Sequence, residues 1–143
     1  MIVSPSLVKE YPKIAAWICD TLPEVRKNPK VFKAFQKYAG FDEKVAERAI
    51  KDGNPPSIEW RHMPADNGQF LTKYPDTVFI AMAICARFEK DHADSRMHLL
   101  VESTLLHEMV HWGDYADGTV DTSQELGTAF ERQAYGKDVG RYW

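Results

Sequence analysis

The sequence predicts an α+β fold, mainly helical, with a small antiparallel sheet. Apolar residues recur at helical spacing in the first fifty residues, and each such stretch is bounded by Pro, Gly or Asn. Two runs rich in β-branched and aromatic residues follow in mid-chain, at 57–63 and 76–80. The segment Ser95–Trp112 then runs without Gly or Pro, and its apolar residues cover most of the helix circumference. A helix of that pattern is buried on nearly all sides.

Pro12–Asp20 predicts a short helix with Pro in its first turn, where the missing N–H costs nothing. Pro23 interrupts it. Asn28-Pro29 opens a second helix, Lys30–Tyr38, with Val31, Phe32, Phe35 and Tyr38 on its apolar face, and Gly40 stops it. Asp42 can cap a third, Glu43–Lys51, which ends at the turn cluster 52–56. Ser57–Met63 alternates enough for a strand. Pro64–Gly68 makes a turn, Gln69–Thr72 a short strand, and Asp76–Ile80 the best strand of the chain, passing into a helix near Ala81. Thr122-Ser123-Gln124-Glu125 matches a capping box for a last helix, Ser123 to about Tyr135.

A chain of 143 residues is expected to form one domain, 1–143, with a helical part at 1–53, the sheet at 57–80 and helices at 95–136. A net charge of −3 gives no argument for binding nucleic acid. The longest apolar run, 78–86, is too short for a bilayer, so no membrane insertion is expected. The N-terminus shows no basic region followed by an apolar one, hence no signal peptide. Cys19 and Cys85 lie far apart and outside metal-binding spacing; two thiols are favoured over a disulfide.

Chemistry concentrates in His107-Glu108-Met109-Val110-His111. Two imidazoles four residues apart stack on one face of a helix, close enough to share a metal ion. Glu108 follows the first of them, where a carboxylate can act as general base toward water on the metal. Two His and a Glu inside a buried helix would be costly without partners. Two histidines leave the ligand set short by one, and Asp114, Asp117, Asp121, Glu125 and Glu131 follow downstream. Asp114 suits an orienting role on a ligand imidazole. Asp117-Gly118 reads as a turn, and Glu125 is explained by the capping box. Glu131 sits mid-helix beside Phe130, one turn after the small Gly127, which would let that helix approach its neighbour closely. Glu131 is the expected third ligand, with Asp114, Asp117 and Glu125 open as alternatives. His62, His92 and His98 carry no such spacing; His98 should face away from the metal.

The His-Glu-x-x-His segment resembles the zincin metallopeptidases. That resemblance implies zinc at His107 and His111, Glu108 as base, and a small sheet beside the metal-binding helix whose edge strand, Ile58–Arg61 or Val78–Ile80, aligns the substrate. The separation of Glu131 from His111 is similar to that in thermolysin-like zincins. Gly127-Thr128 … Tyr135-Gly136 is similar to the tail motif of the aspzincins, which implies an acidic ligand there, Glu131, and a transition-state role for Tyr135. Together, LLHEMVHWGD and FERQAYG look most like the metallopeptidase toxin domains of bacterial polymorphic toxins and type VI secretion effectors. The resemblance implies a zinc-dependent peptidase acting on a peptide or protein substrate, exported as effector cargo or otherwise cytoplasmic, with an immunity protein as partner. The alternative is a zincin-like module that holds metal without catalysis and works by protein contact.

Overall fold

The computed structural model describes residues 1–118 and 125–143. Its elements are β1 (Ile2–Val3), α1 (Pro5–Glu10), α2 (Pro12–Thr21), a 3-10 helix (Leu22–Lys27), α3 (Pro29–Ala39), α4 (Glu43–Ala49), β2 (Ser57–Arg61), β3 (Gly68–Phe70), β4 (Thr77–Ala81), α5 (Met82–Asp91), α6 (Ser95–Ala116) and α7 (Leu126–Tyr135). Prolines punctuate the first third. Pro5, Pro12, Pro23 and Pro29 each stand in the first turn of a helical element, where no N–H partner is needed. Side-chain caps fix the starts: Asn28 accepts from the Val31 amide, Asp42 from Val45 and Asp94 from Arg96. β1 and α1 escape sequence reasoning because two and six residues are too few for a period to show.

The α+β class holds, but the sheet is mixed rather than antiparallel. Its order is β1-β2-β4-β3, with β1, β2 and β4 parallel and only β3 antiparallel to its neighbour. The reason is a skipped position. After β2 the chain lays β3 at the far edge, then turns back to place β4 between them. β4 is therefore antiparallel to β3 and parallel to β2. Ile58 and Val78 pair across that join and are both fully buried.

α6 is the centre of the molecule. It packs on β3 and β4 on one side and on α3 and α7 on the other. Met97, Leu100, Val101, Leu105, Leu106, Met109 and Val110 are all fully buried along it. This two-sided cover is why its sequence reads as apolar nearly all round. Phe130 of α7 meets Phe35 of α3 edge-on, 6.4 Å between centroids, and closes the helical side. The cysteines are free, Cys85 buried and Cys19 half-buried. No helix of the described residues is long and apolar enough to cross a membrane.

Candidate metal centre

His107 and His111 lie one turn apart on α6, ring centroids 5.1 Å from each other, and both are half-buried while Leu105, Leu106, Glu108, Met109 and Val110 around them are buried. Both border the same cleft. The carboxylate that meets them there is Glu125. Its Oε1 lies 2.8 Å from His111 Nε2 and 3.4 Å from His107 Nε2. One ligand atom from each of the three residues falls within 4.8 Å of the others, a nitrogen–nitrogen–oxygen set that could hold a metal ion. Glu125 is the N-cap of α7, its Oε1 also accepting from the Gly127 amide at 3.0 Å. The expected capping box put Thr122 in the cap position; Thr122, Ser123 and Gln124, like Asp121, lie outside the described residues.

Glu131, the expected third ligand, stands on the other side of the His107 ring. Its Oε1 is 2.6 Å from Nδ1, and its Oε2 accepts from the Val139 amide at 2.7 Å. A carboxylate accepting on both oxygens leaves Nδ1 as the donor, so the neutral ring turns its Nε2 lone pair toward Glu125 and His111. The two acids differ in burial as they do in place: the side chain of Glu131 is 10% exposed and that of Glu125 55%. Gly127 lets α7 come this close, because a Cβ at that position would fall on the His107 ring.

Charge in the site follows from this packing. Burial disfavours the His107 imidazolium, but the bond from Glu131 and the charges of Glu108, Glu131 and Glu125 outweigh it, and the pKa is raised. That of His111 is lowered, by burial first, with Glu125 opposing and His107 assisting. Glu108 is buried, and desolvation pushes its carboxyl up to about 7, with the His107 charge opposing and nearby acids assisting. A carboxyl near 7 can take up and release a proton around neutral pH.

The residues border a cleft of about 360 Å³ lined also by Asp66, Gly68, Gln69, Phe70, Asp114 and Tyr115. One wall is β3. The close approach needs Gly68, whose Cβ would stand 2.8 Å from Glu108 Cγ and from Thr104 Cγ2. Among the described residues β3 pairs with β4 alone and stands at the edge of the sheet, whereas both expected edge segments, Ile58–Arg61 and Val78–Ile80, lie in interior strands of the order. The short strand expected at 69–72 overlaps β3; its place at the edge follows from strand order, which local composition does not give.

Tyr135 is not among the residues lining the cleft. Its hydroxyl donates to Glu102 Oε2 at 2.8 Å, in the half-buried seam between α6 and α7. Burial raises the pKa of Tyr135, with the Glu102 charge next, and desolvation raises that of Glu102 as well. Asp114 lines the cleft without entering the ligand cluster, and Asp117 ends α6. His98 faces away, stacked on Trp17 and bonded to the His92 carbonyl.

No curated protein and no solved structure matches the chain. A family model does, described as metallopeptidase toxin 3, over residues 8–136. That span holds the helices from α2 to α7, the strands β2, β3 and β4, both histidines, Glu108, Glu125 and Glu131. A metal-ligand cluster at an edge-strand cleft is what a metallopeptidase requires, and with most of its length matched this chain belongs to the metallopeptidase toxin 3 family.

Proposed function

We propose that the chain is a zinc-dependent peptidase in which His107, His111 and Glu125 hold the ion and Glu108 is the general base. One observation carries the reading: a ligand atom from each of the three side chains lies within 4.8 Å of the others, beside a buried carboxyl that borders the same cleft. The donors fit zinc, which favours imidazole nitrogen with carboxylate oxygen and keeps a position open in catalytic sites. When bound, the ion supplies Lewis-acid polarisation of the scissile carbonyl and acidifies water to a pKa of about 7.

The protein's own groups supply the rest. Glu131 acts as a positioning residue, holding His107 by Nδ1 so that Nε2 faces the ion. The edge of β3, unpaired among the described residues, can add an extended peptide as a further strand, backbone to backbone, which sets the scissile bond across Glu108. Glu108 takes a proton from the water whose oxygen attacks the carbonyl carbon. It returns that proton to the amide nitrogen as the C–N bond breaks. Tyr135 has a packing role in this reading, with its hydroxyl held by Glu102 rather than offered to an oxyanion. The family's description supports a toxin role, so a protein target in a competing cell and a protective immunity protein complete the proposal.

Glu108→Gln separates this from a metal-holding binding module. It keeps shape and leaves the three ligands intact. The expected result is zinc at the parent stoichiometry and hydrolysis of labelled casein reduced by about 10²–10⁴-fold, the range for loss of a general base. Cleavage at the parent rate by Glu108→Gln would overturn the assignment.

A further inference from the structure

The residues after α7 do more than finish the chain. Val139 donates its amide to Glu131 Oε2, the carboxylate that also holds His107. Two residues on, Arg141 reaches the opposite wall. Its Nε donates to Asn67 Oδ1 at 2.9 Å, and one Nη donates to the carbonyls of Asp66 at 2.9 Å and Met63 at 3.3 Å. Next, the Tyr142 hydroxyl donates to Asp91 Oδ2 at 2.6 Å, with the Arg96 guanidinium 4.2 Å over its ring. Residues 139–142 thus form an irregular strap beside the cleft, bonded to Glu131, Asn67 and the Asp66 carbonyl without lining it. It ties the orienting carboxylate on α7 to the loop 63–67 that leads directly into β3.

At its start that loop is also held by Met63, which is buried in the core. Among the described residues its backbone links to the rest of the sheet include the Asn67 carbonyl, which accepts from the Ala81 amide. β3 itself is three residues long and, among the described residues, paired on one side only. A short edge strand opens locally at low cost. A planar guanidinium that bonds three acceptors at once fixes both distance and angle, which a single ammonium cannot do.

Resting on the peptidase reading for its functional consequence, we propose that Arg141 is a positioning residue for substrate binding: it pins the loop 63–67 and so holds the β3 edge in register with the metal-binding helix. Arg141 touches neither the ligand cluster nor Glu108, so its loss acts on alignment of the bound peptide and spares the ion and the base. An extended substrate that must first order β3 binds more weakly, while its reaction once aligned is unchanged.

The test compares the full chain with Arg141→Ala, Arg141→Lys and Asn67→Ala, using amide hydrogen exchange, zinc content and hydrolysis of labelled casein. Asn67→Ala removes one acceptor and leaves the strap intact, which guards against an Arg141 variant that fails to fold. The expected result is exchange at residues 67–70 faster by about 10-fold in Arg141→Ala, with zinc retained. KM rises by about 5-fold or more with kcat within about 2-fold, Asn67→Ala shifts the same quantities less, and Lys restores them only in part. Unchanged exchange at 67–70, or a fall in kcat at constant KM, would overturn the proposal. Failure of the parent chain to cleave would instead count against the peptidase reading, and the exchange data would still decide whether Arg141 holds the strand.

Discussion

The two helices that make the site hold their ligands in different ways. α6 carries His107 and His111 in its interior, so backbone hydrogen bonds and packing on both flanks fix them before any ion arrives. α7 presents Glu125 from its N-cap, half-exposed, its Oε1 accepting from the Gly127 amide and lying 2.8 Å from His111 Nε2. It presents Glu131 from its interior, buried and bonded at both oxygens. The interior of α7 thus holds the carboxylate on His107 Nδ1, and its start holds the carboxylate that lies between the two imidazoles. In the proposed reading the first is the support and the second the ligand.

Replacing Gly127 should have the largest effect on this arrangement. In Gly127→Ala the new Cβ meets the His107 ring, so either α7 retreats or the ring turns. Overpacking of this kind typically costs about 1–3 kcal/mol, and both outcomes separate Glu125 from the histidines. Thermal unfolding of the metal-free variant should show the loss, and zinc titration a weaker site. A variant as stable and as zinc-competent as the parent would show that the contact between the helices is slack.

A smaller effect is expected at the half-buried seam behind the site. Desolvation raises the Glu102 pKa above its ordinary 4.5, with the Tyr135 bond opposing. A carboxyl whose folded pKa is raised contributes stability that is fully present below the unfolded value and is lost as pH rises through the folded one. Glu102→Gln removes that dependence. The stability difference between parent and variant should therefore grow in the variant's favour from about pH 4.5 upward, and level off above the folded pKa. Denaturant unfolding across pH 4–8 measures it. Parallel stability profiles for the two proteins would contradict a raised Glu102.

What was legible in the sequence is what short-range spacing determines. His107, Glu108 and His111 are related by one turn of one helix, and the buried character of that helix is written in its composition. The third-ligand position depends on where α7 starts and how it crosses α6, which are tertiary facts. Glu125 carried a sufficient local explanation as a helix cap, and that explanation masked its approach to the histidines; its side chain does cap, through Gly127, and reaches the site with the same oxygen. Glu131 is the third ligand expected from its mid-helix place; the structure puts its carboxylate on His107 Nδ1, away from the cluster of His107, His111 and Glu125, and spacing alone does not give that side. The sheet shows the same division. Strand composition marks β2 and β4 and a short strand at 69–72, which overlaps β3, but the order β1-β2-β4-β3, which puts β3 at the edge among the described residues, is not a local property. Tyr135 fell on the correct helix and the wrong side of it for contact with the cleft, because Glu102 on α6 was available to accept its hydroxyl.

The central claim is the division of labour between Glu125 and Glu131. Zinc stoichiometry and affinity, measured on parent, Glu125→Ala and Glu131→Ala purified without chelator or histidine tag, test it directly. The account predicts about one zinc per parent chain, stoichiometric binding lost in Glu125→Ala, and binding retained but weakened about 10–100-fold in Glu131→Ala, as for loss of an orienting partner. Zinc lost with Glu131→Ala and kept at parent affinity with Glu125→Ala would contradict it and return Glu131 to the ion.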